Sequence, residues 1–218
     1  MAGAALDVRI ECERVGHRYA AGRGLDPVSF SLTGPGLAAV TGPNGSGKST
    51  LLRVLAGLLR PAAGRSELSV SGRGYPAPER RHVTGWCSPE LQFYAELTVR
   101  ENLRFAAEAR GLDDPDACVM ASVEAIGLTG RLDDRAAALS SGLRQRLRLA
   151  FAILGDPPVL LLDEPGSHLD EPGRARLAGL LARRRETARV LMATNDSREW
   201  SLADERIPLG AHDLGDPS

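Results

Sequence analysis

Gly42-Pro-Asn-Gly-Ser-Gly-Lys-Ser-Thr50 concentrates glycines, hydroxyls and a lysine in one short stretch. Its spacing is glycine, four residues, then Gly-Lys-Ser. Such a loop can curl at Gly42, Gly45 and Gly47 so that successive N–H groups point at phosphate oxygens. The whole stretch is the candidate phosphate cradle: Gly42, Pro43, Asn44, Gly45, Ser46, Gly47, Lys48, Ser49 and Thr50. The chain has 27 basic residues, and Lys48 is its single lysine. An ammonium is a compact charge on a flexible stem and fits between β- and γ-phosphate oxygens, where a planar guanidinium fork does not replace it. Ser49 would set its hydroxyl on Mg²⁺.

Pro158-Val-Leu-Leu-Leu-Asp-Glu-Pro165 ends an apolar run in adjacent carboxylates. Beside a phosphate loop, Asp163 is suited to hold Mg²⁺, directly or through water, and Glu164 to polarise an attacking water. Upstream lies Leu139-Ser-Ser-Gly-Leu-Arg-Gln-Arg146, which opens a helix. A serine hydroxyl with free backbone donors at a helix start suits an anion. The same serine, Ser140, equally reads as a plain helix cap.

These residues need an α/β scaffold. The phosphate loop follows a short apolar strand at 37–41 and precedes a helix over 49–59, which the spacing starts with a hydroxyl cap. Further strands are read at 8–12, 28–32, 67–70, 83–86, 159–162 and 190–194. Helical spacing occupies 99–110, 117–126, 141–154 and 174–185. The pattern is an α/β core interrupted by a helical insert.

Composition narrows the function. At 218 residues the default is one domain with a lobe. A net charge of −1 excludes a nucleic-acid-coating protein. The basic run at 183–185 reads as a solvated helix face. Cys12, Cys87 and Cys118 lack metal-ligand spacing and read as reduced, packed thiols. No apolar run has the length of a membrane span, the first residues do not read as a signal peptide, and the tail from Gly210 onward reads as frayed.

With these motifs in order, the chain resembles the ATP-binding subunit of ABC transporters, nearly end to end. The family signature is Leu-Ser-Gly-Gly-Gln; here Leu139, Ser140 and Gly142 match, with Ser141 and Leu143 as departures. The resemblance implies a P-loop NTPase core, a mixed sheet flanked by helices, with an antiparallel β region and a helical subdomain. It implies one ABC domain over 1–218, with core at 1–86 and 155–210, helical subdomain at 87–154 and tail at 211–218. It implies ATP and Mg²⁺ as ligands. Ser140, Ser141 and Gly142 would contact the ATP held by a second ATP-binding subunit, identical or not, and Tyr19 would stack on adenine. Leu97-Thr-Val-Arg-Glu-Asn-Leu103 matches the opening of the subdomain, and Ser167-His-Leu-Asp170 a loop that meets the other subunit; His168 is then no metal ligand.

Two departures bear on catalysis. The family's junction glutamine falls at Pro89 or Glu90, with Gln92 out of register, and its histidine after the last core strand is Asn195. Asn195 can donate a hydrogen bond to phosphate but cannot carry charge. With Lys48, Ser49, Asp163 and Glu164 kept, the resemblance implies a slow ATPase. It would drive a separate membrane permease from the cytoplasmic face and bind no nucleic acid. The short form is similar to the ATP-binding subunit of haem exporters. The alternative is an ATP-dependent clamp or regulatory cassette in which dimerisation matters more than turnover.

Overall fold

A computed structural model describes residues 7–20 and 22–210. The expectations for the first residues and for the tail at 211–218 lie outside the described residues. In chain order, β1 (Val8–Arg18) and β2 (Gly24–Thr33) form a hairpin, and β3 (Gly36–Thr41) runs through the 42–47 loop into α1 (Lys48–Leu55). Then come β4 (Ala63–Val70), β5 (Arg73–Gly74) and β6 (Thr84–Cys87), followed by α2 (Val99–Ala109), α3 (Pro115–Ile126) and α4 (Ser141–Ile153). The chain closes with β7 (Val159–Asp163), α5 (Glu171–Arg184), β8 (Arg189–Ala193), α6 (Ser197–Trp200) and β9 (Glu205–Pro208).

The strands form two sheets, and strand direction is divided between them. β2-β1-β4-β5 is antiparallel. β6-β7-β8-β3-β9 is parallel throughout. Every residue of β7 and β8 is buried, which is why both strands are apolar without alternation. The pleat divides them between two cores. Leu160, Leu162, Val190 and Met192 pack under α2–α5, while Val159, Leu161 and Leu191 pack against α1 and the antiparallel sheet. The helical insert therefore shares a core with one face of the parallel sheet.

Several boundaries move for local reasons. Helix α1 stops at Leu55 because the N–H groups of Leu58 and Leu59 fold back onto the Arg53 carbonyl. It begins at Lys48 behind Gly47 with no side-chain cap, so the expected hydroxyl cap is absent. Helix α5 starts at Glu171 because Asp170 caps it, accepting from the Gly173 N–H at 3.0 Å. Of the 183–185 run only Arg183 is exposed to solvent as expected. Arg184 is buried against Asp156 and the Pro157 carbonyl, and Arg185 pairs with Asp204. Burial pushes the Cys12 and Cys87 thiols up to about 12, as expected of packed, unreactive cysteines.

The insert opens on a buried polar staple. Asn102 accepts from the Tyr94 N–H at 2.9 Å and donates to the carbonyls of Tyr94, Leu97 and Thr98 at 3.1, 3.2 and 2.9 Å. It is 4% exposed, so truncation strands backbone groups away from water. Asn102→Ala should lower stability by about 2–4 kcal/mol. Urea unfolding would show a lower midpoint at unchanged slope, and an unmoved midpoint would contradict the staple.

Candidate functional site

The 42–47 loop leaves the carboxyl end of β3, where a parallel sheet presents its ligand crevice. Its glycines are required by contact as well as by conformation. Gly42 and Gly47 have φ of 147° and 97°. A Cβ on Gly47 would stand 2.7 Å from the Gly24 carbonyl oxygen, and one on Gly42 would stand 2.4 Å from that of Leu209. The loop is thus pinned between the β1–β2 hairpin and the chain after β9. Behind it, α1 begins without a capping side chain, so its first N–H groups and the positive end of its dipole face the loop. Ser46 Oγ is buried and has no hydrogen-bond partner among the described residues.

Lys48 is buried at the start of α1, and its Nζ donates to the carbonyls of Gly42 at 2.7 Å and Pro43 at 3.1 Å. Burial lowers its pKa, opposed by the nearby charges of Glu164 and Asp163. Asp163 ends β7 with 4% exposure. Burial raises its pKa, and the Ser49 hydroxyl beside it works in the opposite direction. A buried carboxylate next to a hydroxyl is a hard-oxygen set of the kind Mg²⁺ accepts along with phosphate oxygens. No group of three or more His, Cys, Asp or Glu suited to a metal occurs among the described residues. A self-contained protein cage is not built here.

Glu164 follows in a left-handed conformation, φ 52°. Its N–H donates to Ala193 O at 2.9 Å, and its carbonyl accepts from Gln145 Nε2 at 3.2 Å. Its carboxylate accepts from the Ser167 hydroxyl at 3.3 Å. With both main-chain groups bonded, the strained residue is held in place and its side chain directed.

Of the residues singled out in the sequence, one cleft gathers Tyr19, Asn44, Gly45, Gly47, Lys48, Ser49, Thr50 and Glu164, with Arg23 added. Asn195 joins from the far side, donating from Nδ2 to Asn44 Oδ1 at 2.6 Å. Tyr19 is exposed at the mouth, edge-on to His17 with ring centroids 4.8 Å apart. The cleft measures about 220 Å³, below the roughly 300–1,000 Å³ of a typical small-molecule pocket.

The signature residues do not line that cleft. Ser140 is exposed and caps α4, accepting from the Leu143 N–H at 3.3 Å; exposed Ser141 is the first helical residue. A Cβ on Gly142 would lie 2.8 Å from the His168 carbonyl, so the start of α4 rests on the 167–170 loop. Arg146 of α4 pairs with Asp170 at 2.5 Å. His168 is exposed, with φ of 62°. At the junction, Pro89 and Gln92 are exposed, and Glu90 is held by Arg53 of α1 at 2.5 Å. Sequence reasoning passed over Arg53 and Gln145. A glutamine and an arginine three residues apart on the inward face of α4 were the available signal for Gln145.

Comparison with known proteins points to one family. A family model described as "ABC transporter" matches residues 25–167. The sulfate/thiosulfate import ATP-binding protein CysA of Thermosynechococcus vestitus is 36% identical over 207 residues, covering 92% of this chain and 61% of that protein. The chain therefore spans about three-fifths of that relative's length. The cytochrome c biogenesis ATP-binding export protein CcmA of Maricaulis maris is 39% identical over 186 residues, 84% of each chain. A dimeric ATP-binding cassette solved in a post-hydrolysis state with ADP and phosphate superposes with a TM-score of 0.82 over 92% of this chain and 94% of its own, at 22% identity. That last likeness is one of fold.

Lys48 supplies the one ammonium in the cleft, and a charged hydrogen bond is worth about 1.5–3 kcal/mol. Lys48→Ala should therefore weaken binding of a labelled ATP analogue by roughly ten- to a hundredfold. Equilibrium titration measures this, and unchanged affinity would sink the phosphate assignment.

Proposed function

The chain belongs to the ABC transporter family, and from that premise we propose that it is the ATP-hydrolysing subunit of a transporter, driving a separate membrane permease by closing on ATP as a dimer. One observation carries the reading. Lys48, Ser49 and Glu164 line one small cleft with Asp163 buried beside Ser49, while the serine and glycine of the signature lie outside it, on a loop shoulder. A second cassette, identical or related, is then needed to bring its own Ser140, Ser141 and Gly142 over the phosphates.

In this reading the N–H groups of residues 42–50 and the Lys48 ammonium bind the β- and γ-phosphates, and Tyr19 stacks on adenine. Asp163 and Ser49 would hold Mg²⁺, which would supply positive charge beside the phosphoryl oxygens. Glu164 orients and polarises the attacking water. Asn195 donates an amide hydrogen bond to the γ-phosphate once released from Asn44. Residues 87–154 act as a helical subdomain.

The membrane partner has a candidate seat. Exposed Leu58, Tyr94 and Phe105 share one groove with Trp86 and Phe151, between the end of α1, the 88–94 segment and α2. Among the described residues no helix is long and apolar enough to cross a membrane. A separate permease presenting an apolar segment fits this groove, which supports a seat for the subunit at the cytoplasmic membrane face. The matching relatives are named for import and for export alike, so the reading stops at the motor.

Asn195 and the missing junction glutamine favour a second reading, an ATP-dependent clamp with slow turnover. Two variants separate the readings. Glu164→Gln keeps the shape and the Ser167 contact but cannot polarise water, so with MgATP it should elute from size exclusion as a stable dimer. A mutant that stays monomeric where the parent dimerises would count against the sandwich. Asn195→His adds a side chain able to carry charge into the transition state. It should raise kcat severalfold, up to the roughly hundredfold scale of one aligned contact, at nearly constant ATP affinity. No gain, with the fold intact by circular dichroism, favours the clamp.

A further inference from the structure

Behind the cleft, α4 buries two polar side chains that the roles above leave unused. Gln145 is fully buried and Arg148 is 9% exposed. Gln145 Nε2 donates to the carbonyls of Glu164 at 3.2 Å and Pro165 at 2.9 Å, and its Oε1 accepts from Arg148 Nη1 at 3.2 Å. Arg148 Nε in turn donates to the Leu91 carbonyl at 3.2 Å. Among the described residues Arg148 makes no ion pair; within this network its guanidinium is held by neutral oxygens alone. A buried cation without a counter-charge is costly and is kept in place only by such bonds.

The chemistry gives the chain of bonds a direction. A guanidinium has donors only, so the oxygen of Gln145 must face Arg148. Its NH₂ group is then forced toward Glu164 and Pro165. Leu91 belongs to the 88–94 segment that lines the apolar groove, and Glu164 lines the separate nucleotide-loop cleft. No side chain of 88–94 lines that cleft. The bonded path from that segment to the acidic loop runs through the back of α4 instead.

We propose that Gln145 and Arg148 are positioning residues, a buried relay by which the 88–94 segment sets the backbone of Glu164. A shift of the Leu91 carbonyl moves Arg148, which moves Gln145, which moves the carbonyl of a residue already strained at φ 52°. The carboxylate is then re-aimed without any contact between 88–94 and the nucleotide. The relay rests on the reading that Glu164 polarises the attacking water.

The test is a double-mutant cycle on the full chain with MgATP. Gln145→Met and Arg148→Met replace each group by an unbranched apolar one of similar length. Each should lower kcat by about ten- to a hundredfold while the affinity for a labelled ATP analogue stays within about twofold, the split expected of misplaced geometry. Because both act through one chain of bonds, the double variant should be no slower than the slower single. Multiplying losses, or affinity falling in step with kcat, would overturn the relay. If Arg148→Met does not fold by circular dichroism, Arg148→Lys completes the cycle, since an ammonium keeps the charge but loses the fork that spans two acceptors. Glu164→Gln supplies the separate check. If it leaves kcat intact, the role of Glu164 fails, whatever the cycle shows. If it abolishes turnover and the cycle is additive, the relay alone fails.

Discussion

Burying an ammonium is tolerated only when its donors find oxygens, and much of this architecture follows from doing so for Lys48. Its partners are carbonyls of its own loop, Gly42 and Pro43, so the loop must fold back over the side chain. That return needs left-handed glycines where the hairpin and Leu209 leave no room for a Cβ. It also makes α1 begin abruptly, with no side chain competing for its first N–H groups. A parallel sheet then does the rest. All its strands point the same way, so β7 ends on the same edge as β3 and delivers Asp163 and Glu164 to the ammonium.

Helix α4 ties the insert to that edge. Its first turn stands exposed on the 167–170 loop, and its inner face packs with Leu160 and Leu162 of β7 in one core. Its buried polar atoms hold the Glu164–Pro165 backbone. A single helix therefore touches both the surface that the proposed function gives to a second cassette and the loop that carries the acid. Motion of the insert cannot leave the acidic loop unaffected, because dense cores transmit displacement.

The parts that were legible from sequence are those with strong local signals. The apolar runs 159–162 of β7 and 190–193 of β8, the glycine spacing of the loop and the Asp163–Glu164 step could be read because burial and strain dictate residue type there. β9 could not, since only Ile207 of its four residues is buried and no apolar run marks it. The buried arginines were passed over for a different reason. Charge signals solvent in a sequence, yet Arg80 donates to the carbonyls of Val54, Leu55 and Ser66, and Arg189 to those of Gly34 and Pro35. Those acceptors are distant in the chain, so nothing local announces them. The Asn195–Asn44 contact spans 151 positions and was hidden in the same way.

The same two departures from the family pattern, Asn195 and the 88–94 junction, share an energetic feature. Each places a polar group close to the cleft, and each group is already engaged: Asn195 with Asn44, and Glu90 with Arg53. A neutral hydrogen bond contributes about 0.5–1.5 kcal/mol, and an exposed ion pair at most about 1 kcal/mol. A hydrogen bond to a charged phosphate oxygen contributes about 1.5–3 kcal/mol. Releasing Asn195 toward a nucleotide is therefore downhill by a modest margin. In the proposed reaction its present partner delays engagement without forbidding it. Glu90 differs, because a carboxylate gains nothing from phosphate oxygens and keeps its best partner in Arg53. On this arithmetic the junction loses its direct line to the cleft while Asn195 keeps one, and control of the acid from the groove side falls to the backbone bonds behind α4.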